Sequence, residues 1–121
     1  MNLRVLAVDD SRTMRELLKR ALSDHGFSVH VAVDGLDGLE ALSACQPDVV
    51  ITDINMPRMD GFGFIEAVRS GGVANRVPIL ALTTESAPEL RERARNAGAT
   101  GWIVKPFDPE KLASVIRRVA A

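Results

Sequence analysis

The sequence predicts a doubly wound α/β fold, one parallel sheet with helices on both faces, and three observations point to it. Short apolar runs recur at residues 5–8, 29–33, 49–51, 79–82 and 103–104. Each is followed by a stretch of helical spacing, and the joins are short, with no linker or low-complexity segment. Continuous apolar runs of this length read as strands buried on both faces. A right-handed crossover then has to lay each helix back on the sheet.

Taken in order, residues 5–8 form the first strand. Behind them Met14, Leu17, Leu18, Ala21 and Leu22 follow the i, i+3, i+4, i+7, i+8 stripe of a helix, with Ser11 placed to cap its start and Gly26 to stop it. The weaker run at 29–33 gives the second strand, and Leu36, Leu39 and Leu42 a less regular second helix. Residues 49–51 make the third strand, followed by a helix striped with Phe64, Ile65 and Val68. The fourth strand, 79–82, precedes a helix over 87–97 whose one large apolar residue is Leu90, set among Arg91, Glu92, Arg93 and Arg95. That helix is the least anchored, and its mixed charges read as a solvated face. Residues 103–104 form the fifth strand, and Leu112, Val115, Ile116 and Val119 stripe the last helix.

Composition narrows the function classes. A chain of 121 residues with 46% hydrophobic residues can bury one core, so a single domain over residues 1–121 is expected. Fifteen basic against sixteen acidic residues leave a net charge of -1, without the electrostatic footprint of a nucleic-acid binder. Cys45 is the single cysteine, so it has no internal disulfide partner, and with only His25 and His30 beside it no zinc site can be built. A reducing cytoplasm fits. No apolar run approaches the ~20 residues of a membrane span, and the apolar start runs into Asp9 and Asp10 too early for a signal peptide, so a soluble, unexported protein is expected.

In an open parallel sheet, ligands sit outside the carboxyl ends of the strands. Those ends are polar here: Asp9-Asp10 after the first strand, Asp53 after the third, Thr83-Thr84 at the fourth and Lys105-Pro106 after the fifth. Taken singly, each residue is ordinary, the acid pair as a turn and cap device, Thr83 as a strand-end hydroxyl, Lys105 as a surface lysine. Their joint placement is the signal. Three converging carboxylates repel one another unless a cation neutralises them, and hard oxygen ligands suit Mg²⁺. A carboxylate is also a nucleophile toward phosphorus, with an ammonium and a hydroxyl beside it to hold phosphoryl oxygens. The constellation reads as an aspartate phosphorylation site. Nucleotide motifs are missing: there is no G-x-x-x-x-G-K-[ST], and Gly61-Phe62-Gly63 is followed by Glu66 where a dinucleotide fingerprint needs glycine.

Over its whole length the chain resembles the receiver domain of bacterial two-component response regulators, in particular the single-domain chemotaxis regulators. The resemblance is carried by Val8-Asp9-Asp10-Ser11, Asp53-Ile54-Asn55-Met56-Pro57 with Met59-Asp60-Gly61, Leu82-Thr83-Thr84, Ala97-Gly98-Ala99 and Lys105-Pro106-Phe107. It implies a flavodoxin-like five-stranded sheet of order 2-1-3-4-5, with Asp53 as phosphoacceptor and Asp9, Asp10, Asp53 and the backbone carbonyl of Asn55 as the Mg²⁺ site. Thr83 and Lys105 become the phosphate-sensing pair, and Lys105-Pro106 a cis peptide. Asn55 and Glu85 occupy positions where family members vary the side chains that control water at the phosphorus. Three residues before the lysine the family usually has Tyr or Phe as a swinging ring, whereas this chain has Trp102, a switch residue or a packing residue. With Leu90 as its anchor, the fourth helix is the element such a switch would shift.

These implications give a phosphoacceptor rather than a turnover enzyme, phosphorylated by a sensor histidine kinase. Because the sequence ends at Ala121, output through protein contacts is expected, with the flagellar motor switch as partner and a monomeric state. A phosphorelay intermediate or phosphate sink would share the same site residues. A haloacid-dehalogenase-like phosphatase would also use an aspartate nucleophile and Mg²⁺, but it wants a second Asp two residues on, where Asn55 stands.

Overall fold

A computed structural model describes residues 2–71 and 76–121. Strands and helices alternate: β1 (Arg4–Val8), α1 (Arg12–Asp24), β2 (Ser28–Ala32), α2 (Gly35–Cys45), β3 (Val49–Thr52), α3 (Gly61–Ser70), β4 (Ile79–Thr83), α4 (Pro88–Ala97), β5 (Gly101–Val104) and α5 (Pro109–Ala120). The five strands pair in parallel in the order β2-β1-β3-β4-β5. This is the doubly wound, flavodoxin-like sheet expected from the sequence.

The central strands carry continuous apolar runs, Val5–Val8, Val49–Ile51 and Ile79–Leu82, because both faces are covered there. Val5, Ala7, Val49, Ile51, Leu80 and Leu82 face the α1 and α5 side, where Leu18, Leu22, Leu112 and Ile116 meet them. Leu6, Val8, Val50 and Ile79 face the other side, against Leu42, Phe64, Ile65 and Val68 of α2 and α3. Burying side chains of this size stabilises by ~1.5–3 kcal/mol each. The register fixes which residues reach the carboxyl edge, with Val8 opposite both Ala32 and Thr52, and Thr83 opposite Val104.

Where sequence and structure differ, the sheet edge and the helix flanks explain it. The run at 103–104 was expected to be buried on both faces, but β5 is an edge strand and Val104 is exposed. Leu17 and Leu36, counted into helical stripes, lie on the solvent flank of their helices and are exposed. Leu90 is half-buried, and the fully buried residue of α4 is Ala94. Polar contacts add to that anchor: the Arg93 guanidinium stacks 4.1 Å from the Phe62 ring centroid, and Arg69 Nε donates to the Gly98 carbonyl at 2.9 Å. So α4 is held to α3 through arginines that apolar periodicity does not register.

The expected caps are present. The Ser11 hydroxyl accepts from the Met14 amide, Gly26 follows α1 in the left-handed region, and Gly98 closes α4 in the same conformation. The Lys105-Pro106 peptide is cis. No helix among the described residues is long and apolar enough to cross a membrane.

Candidate functional site

At the carboxyl edge of the sheet, the loops after β1, β3 and β5 converge. Asp9 is 1% exposed and Asp53 8%, whereas Asp10 faces solvent. One carboxylate oxygen from each of the three lies within 4.8 Å of the others. Lys105 Nζ enters this cluster 3.1 Å from Asp9 Oδ2 and 3.5 Å from Asp53 Oδ1. The cis peptide that follows Lys105 belongs to the turn carrying this lysine over the end of β1 and β3.

Backbone amides fix the carboxylates. Ser11 N donates to Asp9 Oδ1 at 2.9 Å, and Ile54 N donates to Asp53 Oδ1 at 2.8 Å. Arg15 Nη1 donates to the Asp9 carbonyl at 2.8 Å, so the first helix holds the acid turn from outside. Asp53 Oδ1 is thus engaged by an amide and an ammonium, while Oδ2 makes no hydrogen bond among the described residues. Burial raises the Asp53 pKa above its ordinary value, the Asp9 carboxylate adds to this, and Lys105 opposes it. A raised carboxyl beside two more carboxylates is the electrostatic state that a divalent cation relieves.

Gly61 is required by close approach rather than by its φ angle. A Cβ there would collide with the Asp53 carbonyl oxygen and lie 2.7 Å from Ile54 Cα, so glycine lets α3 begin against the Asp53–Ile54 segment. Asn55 lies in the same β3–α3 loop, two residues past Asp53, with its side chain exposed.

Thr83, the last residue of β4, is fully buried, and its hydroxyl accepts from the Glu85 amide at 3.3 Å. The Glu85 carbonyl in turn accepts from Trp102 Nε1 at 3.1 Å. Trp102 is half-buried and packs with Leu90 against Ile54, Phe62, Ala81 and Ala94. The structure places Asp9, Asp10, Asp53 and Lys105 in one cluster, and Thr83, Glu85 and Trp102 in one hydrogen-bonded chain with Leu90 beside it, while Asn55 stands exposed in the adjoining loop outside both groups. Sequence reasoning missed Arg15 and the Ile54 amide. A backbone amide has no sequence signature, and Arg15 looks like any charged residue on a helix surface.

The chain matches the model of the response regulator receiver domain over residues 5–117. It belongs to that family. Among solved structures, the receiver superposes on the chemotaxis protein CheY4 of Vibrio cholerae with a TM-score of 0.93 and 44% identity, covering 98% of this chain and 99% of that one. It also superposes on the receiver domain of the sensor histidine kinase PA1611 of Pseudomonas aeruginosa, with a TM-score of 0.91 and 25% identity, covering 99% of this chain and 98% of that one; that structure has a magnesium ion coordinated in its active-site cleft. Among curated relatives, the response regulator MprA of Mycobacterium leprae is 42% identical over 115 residues, covering 95% of this chain and 50% of that protein. The receiver spans about half the length of the curated relatives it matches.

Proposed function

We propose that this receiver accepts a phosphoryl group from a phosphohistidine of a sensor histidine kinase onto Asp53, in the cytoplasm, and signals through phosphorylation-dependent protein contacts in a chemotaxis system. The observation that carries the reading is the buried Asp53 carboxylate held between Lys105 and the Asp9–Asp10 pair at the sheet edge. With Oδ1 held, Oδ2 is the oxygen that attacks phosphorus. An O–P bond forms, the P–N bond breaks, and the imidazole leaves with the electron pair and takes a proton from solvent. Lys105 lies beside the charge that develops, and the Thr83 hydroxyl turns to donate to a phosphoryl oxygen, releasing the Glu85 amide. Asp9, Asp10, Asp53 and the Asn55 carbonyl would hold Mg²⁺. When bound, that ion supplies charge neutralisation for the carboxylates and a phosphoryl oxygen. The acid cluster of this chain fits such an ion, and the PA1611 receiver domain holds magnesium in its cleft. In this reading the receiver is a substrate of its kinase rather than a turnover enzyme.

Release of the Glu85 amide loosens the segment whose carbonyl holds Trp102, which couples Thr83 to the α4–β5 surface. Chemotaxis output, with a monomeric receiver binding the flagellar motor switch, is supported by the likeness to CheY4 over nearly the full length of both chains. A phosphorelay reading is favoured by one different observation, the likeness to receiver domains that belong to sensor histidine kinases.

Incubation with phosphorylated kinase tests the shared core. Hydroxylamine-labile label that needs Mg²⁺ and disappears in Asp53→Asn is expected, and undiminished label in that variant would contradict it. Binding of the beryllofluoride-loaded receiver to the motor switch protein supports chemotaxis, whereas phosphoryl transfer onward to a histidine phosphotransfer domain without such binding supports the relay.

A further inference from the structure

The β3–α3 loop is tied sideways to the start of α2. Arg58 sits in this loop at φ +65°, a left-handed conformation that disfavours a residue with a Cβ, so something must hold it there. Its Nε and Nη2 both lie 2.6 Å from Asp34 Oδ2. The Asp34 side chain is only 6% exposed, and its other oxygen, Oδ1, accepts from the Asp37 amide at 2.9 Å as the N-cap of α2. One carboxylate thus caps a helix and grips a loop 24 residues away. The Asp37 amide foremost, helped by Arg58, keeps this carboxyl below its ordinary pKa against the effect of burial, so it stays ionised. Next to the pair, the two segments are in direct contact: a Cβ on Gly35 would fall 2.7 Å from Met59 Cγ and 2.9 Å from the Met59 carbonyl oxygen.

What this tie restrains is the segment bearing the phosphoacceptor. Gly61 N donates to the Ile54 carbonyl at 2.8 Å, and Met59 N to the Pro57 carbonyl at 2.7 Å, so residues 54–61 form a closed loop with Asn55 and Arg58 on the same ring. A restraint at Arg58 therefore limits the freedom of Asn55 on the same hydrogen-bonded ring. We infer that the Asp34–Arg58 pair is a positioning device for the cation site, holding the Asp53–Asn55 segment in its ligating arrangement before Mg²⁺ arrives. The inference rests on the proposed Mg²⁺ site. Neither residue touches the ion; both act by limiting where the ligand segment can go.

The test is a Mg²⁺ titration, by calorimetry, of wild type, Arg58→Ala, Arg58→Lys, Asp34→Asn and the Asp34→Asn/Arg58→Ala double variant, with thermal melts confirming that each is folded. Asn caps a helix about as well as Asp, so Asp34→Asn spares α2 while weakening the tie. Arg58→Ala should weaken Mg²⁺ binding by about tenfold, the low end of the ~10–100-fold seen when an outer partner of a metal site is removed. Lys offers a point charge without the guanidinium fork and should rescue only part of this. The double variant should be no weaker than the worse single variant, because both remove the same contact. Labelling by kinase should slow at limiting Mg²⁺ and recover at saturating Mg²⁺. Unchanged Mg²⁺ affinity in folded Arg58→Ala and Asp34→Asn, or losses that multiply in the double variant, would overturn the inference. Absence of Mg²⁺ binding in wild type would instead overturn the cation site itself.

Discussion

Replacing Lys105 with Met separates the electrostatic account of the site from a purely structural one. The lysine side chain is 13% exposed and its Nζ reaches two carboxylates, at 3.1 and 3.5 Å, whose side chains are 1% and 11% exposed. Met keeps much of the length and removes the charge, leaving Asp9 and Asp53 to face each other and Asp10 with no cation between them. Breaking a buried pair by removing one partner typically costs ~3–5 kcal/mol. Protonation of Asp53, whose pKa is already raised, and the exposure of Asp10 offset part of this, so about 3 kcal/mol at neutral pH is expected by that measure. For a domain of this size, 1 kcal/mol moves Tm by roughly 3–5 °C, giving a fall of about 10 °C in chelator. The same variant should bind Mg²⁺ more tightly than wild type, because the ion no longer competes with an ammonium for the carboxylates, and saturating Mg²⁺ should recover most of the lost Tm. Differential scanning calorimetry with and without Mg²⁺ reads both effects. An unchanged Tm, or a fall that Mg²⁺ does not relieve, would refute the reasoning.

Asp53→Asn should stabilise the metal-free protein at neutral pH. The folded pKa of Asp53 is raised above its ordinary 3.8, so the native state binds the proton more tightly than the unfolded one, and wild-type stability falls as pH rises through that raised value. Stability of wild type and variant should therefore converge toward acid pH; a gap that does not shrink as pH falls would count against a buried, repelled carboxylate. Gly61→Ala should lower both Tm and Mg²⁺ affinity, since its Cβ must displace backbone at Asp53 and Ile54; a variant normal in both would mean the loop yields freely. Trp102 is the sole tryptophan, and beryllofluoride with Mg²⁺ should change its emission by releasing the Glu85 carbonyl. Trp102→Ala should be phosphorylated normally and lose most of the phosphorylation-dependent gain in partner affinity; an undiminished gain would return Trp102 to packing.

The central sheet was legible because β1, β3 and β4 are covered on both faces over their apolar runs at residues 5–8, 49–51 and 79–82, whereas the edge strand β5 exposes Val104. Helix faces were legible where the stripe meets the sheet, as at Leu18 and Leu22, and misread on the flank at Leu17. The site was legible because its side chains stand at strand ends, where local sequence and topology coincide: Asp9 and Asp10, Asp53, Thr83, Lys105. What escaped are links between elements distant in the chain. The Arg93–Phe62 stack and the Arg69 bond to Gly98 depend on how α4 meets α3, and the Asp34–Arg58 pair on how two loops meet across the sheet edge. None of these has a spacing that a single sequence reveals.

Mapping the phosphoryl group by mass spectrometry after transfer from a phosphohistidine kinase, with Mg²⁺ and with chelator, tests the central claim most directly. The acyl phosphate should appear on Asp53 alone, only with Mg²⁺, and should be lost in Asp53→Asn and in Asp10→Ala at limiting Mg²⁺. Phosphate on another residue of wild type, or on Asp53 at full yield without a divalent cation, would contradict the reading of this acid cluster as a cation-dependent phosphoacceptor site.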